Sequence, residues 1–130
     1  MYASNDDTSL VNRQAIQLAE DFNFARNLAT SKHRLVGWQV TSQGYRFVQR
    51  DALGRWQPVD SRALQPKTWP DDLQLLGLQE ELPNSYQHQQ TPLVVFFPAG
   101  EVTSLKFSLQ LNEASKQLHL THNRLEEVAD

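Results

Sequence analysis

Cysteine is absent from the 130 residues. Its absence removes disulfides, thiolate nucleophiles and cysteine metal sites together, and leaves the compartment open. Positive charge is scarce as well: 12 Lys and Arg stand against 15 Asp and Glu, a net charge of −3. Phosphate neutralisation has no reservoir here, so neither nucleic acid nor an anionic membrane surface is an expected partner. Long apolar runs are also lacking. No stretch approaches the roughly 20 apolar residues that cross a bilayer. The start, MYASNDDTS, is polar rather than a basic region followed by an apolar one, so the chain as given is expected to be soluble. Glycine-rich phosphate loops, G-x-S-x-G elbows, H-E-x-x-H helices and EF-hand loops do not occur.

What is present is core-forming material. Apolar residues make up 39% of the chain, with three Trp, three Tyr and six Phe, too much for a disordered segment. At this length one domain spanning residues 1–130 is expected, burying about two-thirds of the unfolded surface. Asp6, Asp7 and Thr8 offer acceptors and negative charge at a helix start. Val11, Ala15, Leu18, Phe22, Ala25 and Ala29 then recur at spacings of four and three, which predicts a helix over Asp7–Ser31, roughly 37 Å long. The cluster Lys32-His33-Arg34 falls where the helix dipole favours cations.

Beyond Arg34 the texture becomes short Val-, Trp-, Tyr- and Phe-rich segments between turn residues, predicting antiparallel β-structure over 35–123. Strands are expected at Leu35–Val40, Tyr45–Arg50, Arg55–Val59, Leu73–Leu78, Leu93–Phe97, Val102–Leu111 and Gln117–Thr121. Pro66 and Pro70 argue against a ladder between the third and fourth. The stretch QEELPNSYQHQQT reads as an exposed loop, and NRLEEVAD as a polar, acidic tail. PLVVFFPAGEVTSLKFSLQL, residues 92–111, reads as a core hairpin turned at Pro98–Glu101, its return strand alternating between a buried and a wet face. The fold class is therefore α+β, one long helix laid on about seven or eight antiparallel strands in two packed sheets.

Candidate chemistry is thin. His119 and His122 stand three apart, which on a strand points them to opposite faces and prevents a shared metal. His33 belongs to the helix end and His88 to a solvated loop, and no metal or cofactor is expected. The pairs Asp71-Asp72, Glu80-Glu81 and Glu126-Glu127 sit in polar segments and read as solvated surface rather than as acid and base. Trp38, Tyr45, Phe47, Trp56 and Trp69 lack the basic interleaving that would make them base-stacking residues.

Three segments, LAEDFNFARNLATSKHRLVGWQV, GYRFVQRDALGRWQPVD and PLVVFFPAGEVTSLKFSLQL, occur in an order that resembles the H-type minor pseudopilins of type II secretion systems and the related minor pilins of type IV pili. The resemblance runs from about Leu10 to Leu120. Its most specific pieces are Phe24-Ala25-Arg26 and the run formed by Phe96, Pro98, Gly100, Glu101 and Thr103. It implies a non-enzymatic periplasmic subunit whose helix continues upstream into an apolar, membrane-embedded half that anchors the full-length protein in the inner membrane. The implied partners are the other minor pseudopilins of a filament-tip complex and the major pseudopilin beneath.

Two other readings stand beside this one, a minor pilin for pilus initiation or DNA uptake and a small hydrolase. The tail HNRLEEVAD, with three acidic residues and one Arg, favours secretion over DNA binding. In a pilus-like bundle part of the helix serves its own sheets and part serves neighbours. Ile16, Phe24 and Leu28 lie off the axis of the main stripe, Phe24 about 160° from Phe22, and are the candidate subunit contacts.

Overall fold

The computed structural model describes residues 4–78, 81–86, 91–122 and 124–128. Helix α1 spans Asn5–Lys32 (28 residues). It starts two residues before the expected Asp7 because Ser4 is the cap: its Oγ accepts the Asp7 N–H at 3.0 Å, leaving Asp6 and Asp7 in the first turn. The helix ends where His33 takes a left-handed conformation and donates its N–H to the Ala29 carbonyl.

Nine strands follow among the described residues: β1 Val36–Val40, β2 Gly44–Arg50, β3 Trp56–Pro58, β4 Lys67–Thr68, β5 Gln74–Leu76, β6 Val94–Phe96, β7 Leu105–Leu111, β8 Ala114–Leu120 and β9 Leu125–Glu127. They form two antiparallel sheets. Sheet A has the order β3-β2-β1-β6 with β4 also on β2, and sheet B has the order β5-β7-β8-β9.

Three sequence expectations are corrected. Strand β4 lies between the two prolines thought to forbid it: two residues suffice to pair Gly44 with Thr68 and Tyr45 with Lys67. Only glycine fits opposite, since a Cβ on Gly44 would stand 2.0 Å from the Lys67 carbonyl. The acidic tail supplies β9, pairing Leu120 with Leu125 and His119 with Glu126, so the β-structure runs past residue 123. The expected hairpin at 92–111 is instead a crossover. Near the turn, Phe97 donates to the Glu101 carbonyl and Thr103 to the Val95 carbonyl, but β6 then belongs to sheet A and β7 to sheet B.

The helical stripe read from the sequence is the buried one: Val11, Ala15, Leu18, Phe22, Ala25 and Ala29 are all in the core. Phe22 reaches into an aromatic cluster, edge-on to Trp38 at 4.8 Å and near Phe47 and Phe96. Trp38 in turn lies 5.8 Å from Phe107 of sheet B. One apolar cluster thus joins the helix and both sheets.

Candidate assembly surface

A helix that must offer one face to its own sheets and another outward needs its rotation fixed. Asp21 supplies that restraint. It lies one residue before Phe22 and is 3% exposed, where an unpaired carboxylate would be costly. Its oxygens accept from Tyr45 Oη at 2.7 Å, from Lys67 Nζ at 2.7 and 2.8 Å, and from Gln17 Nε2 at 3.0 Å. Strands β2 and β4 position the two partners side by side in register, Tyr45 opposite Lys67. Burial, together with the bond to Asp21, pushes the Tyr45 phenol far above its ordinary pKa. At the helix N-terminus, Asn112 from the β7–β8 turn donates to Asp7 at 3.0 Å. The sequence reading passed over Asp21, because a single charged residue beside a stripe looks like the solvated face. A carboxylate within about 40° of the stripe's edge was the available signal.

With the roll set, Ile16 (60% exposed) and Phe24 (41%) stand on the outward face, among exposed Arg13, Glu20, Asn23 and Asn27. Leu28 is placed differently: it is partly buried against the core and lines an open crevice with Lys32, Arg34 and Val59. Arg26 is half-buried on the helix. Its Nη1 donates to Asn23 Oδ1 at 3.1 Å, while Nε and Nη2 are buried without a partner. Burial lowers its pKa from the ordinary value.

The residues weighed for chemistry are dispersed. His33 caps the helix. His119 lies on β8 within 3.2 Å of Ser104 Oγ, opposite Lys106 and Glu126, and His122 follows the end of that strand. His88 and Glu80 lie outside the described residues. No group of three His, Asp or Glu that could hold a metal occurs among the described residues. Glu126 and Glu127 alternate faces on β9 and pair with Arg124 and Lys116 respectively. Asp71, Asp72 and Glu81 are exposed.

A capped helix clasped across two antiparallel sheets, with apolar side chains left on its outward face, is the architecture of a pilin-like assembly subunit. The family model described as Type II transport protein GspH matches residues 14–125, and the chain belongs to that family, the H-type minor pseudopilins. Two solved structures of the minor pseudopilin EpsH from the type 2 secretion system of Vibrio cholerae share the fold. One has a TM-score of 0.68 at 19% identity, covering 92% of this chain and 96% of its own. The other has a TM-score of 0.74 at 14% identity, covering 94% and 97%. No curated protein sequence matches the chain.

Proposed function

We propose that the protein is a non-enzymatic minor pseudopilin of the type II secretion pseudopilus, joining the tip subunits to the major pseudopilin during export of folded proteins across the outer membrane. It works in the periplasm, as part of a full-length protein held in the inner membrane by the upstream continuation of its helix. One observation carries the reading: Ile16 and Phe24 are exposed on the face of a helix whose roll is locked by Asp21. Large apolar side chains kept on the outside of a restrained helix gain by being covered in an assembly. Leu28, at the flank, extends that contact towards the helix end.

The test replaces Phe24 by Ser in the full-length protein. Exoprotein secretion in cells is expected to fall, while the thermal midpoint of this 130-residue chain shifts by no more than about 2 °C, as for an exposed substitution. A collapsed midpoint would place Phe24 in the chain's own core, and unchanged secretion would remove it from the assembly; either overturns the reading.

A further inference from the structure

The two sheets present edges of different character. The outer side of β6 is covered by its own chain, through Val95 with Thr103 and Phe97 with Glu101. Strand β9, the edge of sheet B at one end, carries the charges Glu126 and Glu127 and the adjoining Arg124, which guard an open ladder against stray pairing. Strand β5, the edge at the other end, has no charge within the strand itself. It pairs only with β7 among the described residues, and its run Gln74-Leu75-Leu76-Gly77-Leu78 contains no charge. Leu76 stands 40% exposed.

Beside this edge opens a crevice of about 430 Å³ with Trp69, Leu75, Leu78 and Leu82 in its wall. Trp69 is held there by an indole N–H donated to the Thr41 carbonyl at 3.2 Å. The charge around this edge is negative: Glu81 is the one charged residue lining the crevice among the described residues, and exposed Asp71 and Asp72 sit in the turn that leads into β5.

We propose that β5 is a docking edge for an extended segment of another protein chain, one that alternates apolar and basic residues. The segment adds as a further strand beside β5, seats an apolar side chain in the crevice, and places Lys or Arg against Glu81, Asp71 and Asp72. The negative charge around the edge disfavours a second copy of this chain, whose own edge would be repelled. This edge is separate from the outward face of the helix, and the proposal holds whether or not that face meets a neighbour.

The probe is an acetylated, amidated hexapeptide alternating valine and lysine, titrated into the isotope-labelled 130-residue chain at low salt while amide shifts are followed by NMR. Saturable shifts centred on Gln74, Leu75 and Leu76 are expected, with a Kd of about 1 mM or tighter. The glutamate-for-lysine peptide should bind several-fold more weakly, with the difference fading at high salt. A backbone N-methylated peptide should lose binding, because strand addition needs its donors. Leu76→Lys, which adds a guard charge at an exposed position, should abolish the response without moving the thermal midpoint. If that variant folds poorly, Glu81→Lys serves instead and should narrow the preference for the lysine peptide. Any of four results would overturn the proposal: no shift at β5, shifts centred on β9 or the helix, equal binding of the N-methylated peptide, or β5 shifts that follow protein concentration with no peptide added.

Discussion

Sheets A and B are both antiparallel and both press one face against the same helix, yet they are stabilised differently. The centre of sheet A, β1 with the adjoining part of β2, is dry on both sides. Its inner face carries Trp38, Tyr45, Phe47 and Phe96. On the outer face of its central strands the Ser42 N–H donates to the Pro83 carbonyl, Tyr86 stacks 4.4 Å from the Arg46 guanidinium, and Pro92 fills the space over Gly37. Gln39, buried there, accepts from Arg46 Nε at 2.8 Å. Sheet B keeps one wet face: Phe107, Leu109 and Leu111 point inward while Lys106, Ser108 and Gln110 point away. The difference shows that the buried polar clasp on the helix lies on sheet A, while sheet B adheres by apolar area, with one exposed bond from Asn112 to Asp7 at the helix N-terminus.

The largest expected effect sharpens this contrast within sheet B. Phe107→Asp should cost about 4 kcal/mol or more, because it buries an unpaired charge against Trp38. Gln117→Glu, on the exposed face of β8, should stay within about 0.5 kcal/mol. Urea denaturation of both variants decides it, and equal losses would mean that sheet B has no wet face.

At the clasp between the helix and sheet A the corresponding substitution is Asp21→Ala. It strands the Lys67 ammonium and the Tyr45 hydroxyl, and should cost about 3 kcal/mol. Lys67→Met should cost less, since the Lys67 side chain is 31% exposed and Asp21 keeps its bond to Tyr45. Calorimetry of the two variants gives the ranking, and the reverse order would place the anchor on Lys67.

The third effect depends on pH. The folded state holds the Tyr45 phenol protonated well above the ordinary value, whereas the unfolded chain ionises near pH 10. Its contribution is therefore complete below about pH 10 and declines as pH rises, by up to about 1.4 kcal/mol per unit. Denaturation of the native protein and of Tyr45→Phe between pH 9 and 12 should show the native protein falling more steeply, and parallel curves would refute the assignment.

The smallest effect tests the cover over sheet A. Tyr86→Ala removes the ring stacked on Arg46 and should cost about 1 kcal/mol, with no change in secondary structure by circular dichroism.

How much of this was legible in the sequence follows the same division. The α1 stripe and the β7 alternation were readable because one dry and one wet face imprint a period on the residues. Strand β1, VGWQV, is buried throughout and carries no such period. Of the stretch QEELPNSYQHQQT, expected as an exposed loop, residues 79–80 and 87–90 lie outside the described residues, and the described 81–86 meet sheet A through the Pro83 carbonyl and the Tyr86 ring, contacts that leave no apolar run in the sequence. Alternation states which side of a strand is dry but not which strand lies beside it, so β6 and β7 read as one hairpin although they belong to different sheets. Strand β9 stayed hidden behind its charges, which an edge strand tolerates. Of the candidate surface, the exposed positions of Ile16 and Phe24 followed from helical geometry, whereas the clasp on Asp21 joins residues remote in the chain, Tyr45 and Lys67, and its local trace was only a carboxylate beside the stripe.

The crossover at 97–104 also bears on how the chain reaches its native state. Strand β5 is laid down in sheet B before β6 completes sheet A, so the chain passes from A to B, back to A, and again to B. Trp38 must wait for Val94, and Leu75 for Leu109. Pairings between such remote segments close large loops and slow the search for the native arrangement. During synthesis, the ribosome must release Phe96 before sheet A can close, and by then β5 is already waiting for strands of sheet B not yet made. Neither sheet can be cut out as an independently folding fragment, and truncation within 97–104 should yield a chain that collapses without a fixed core.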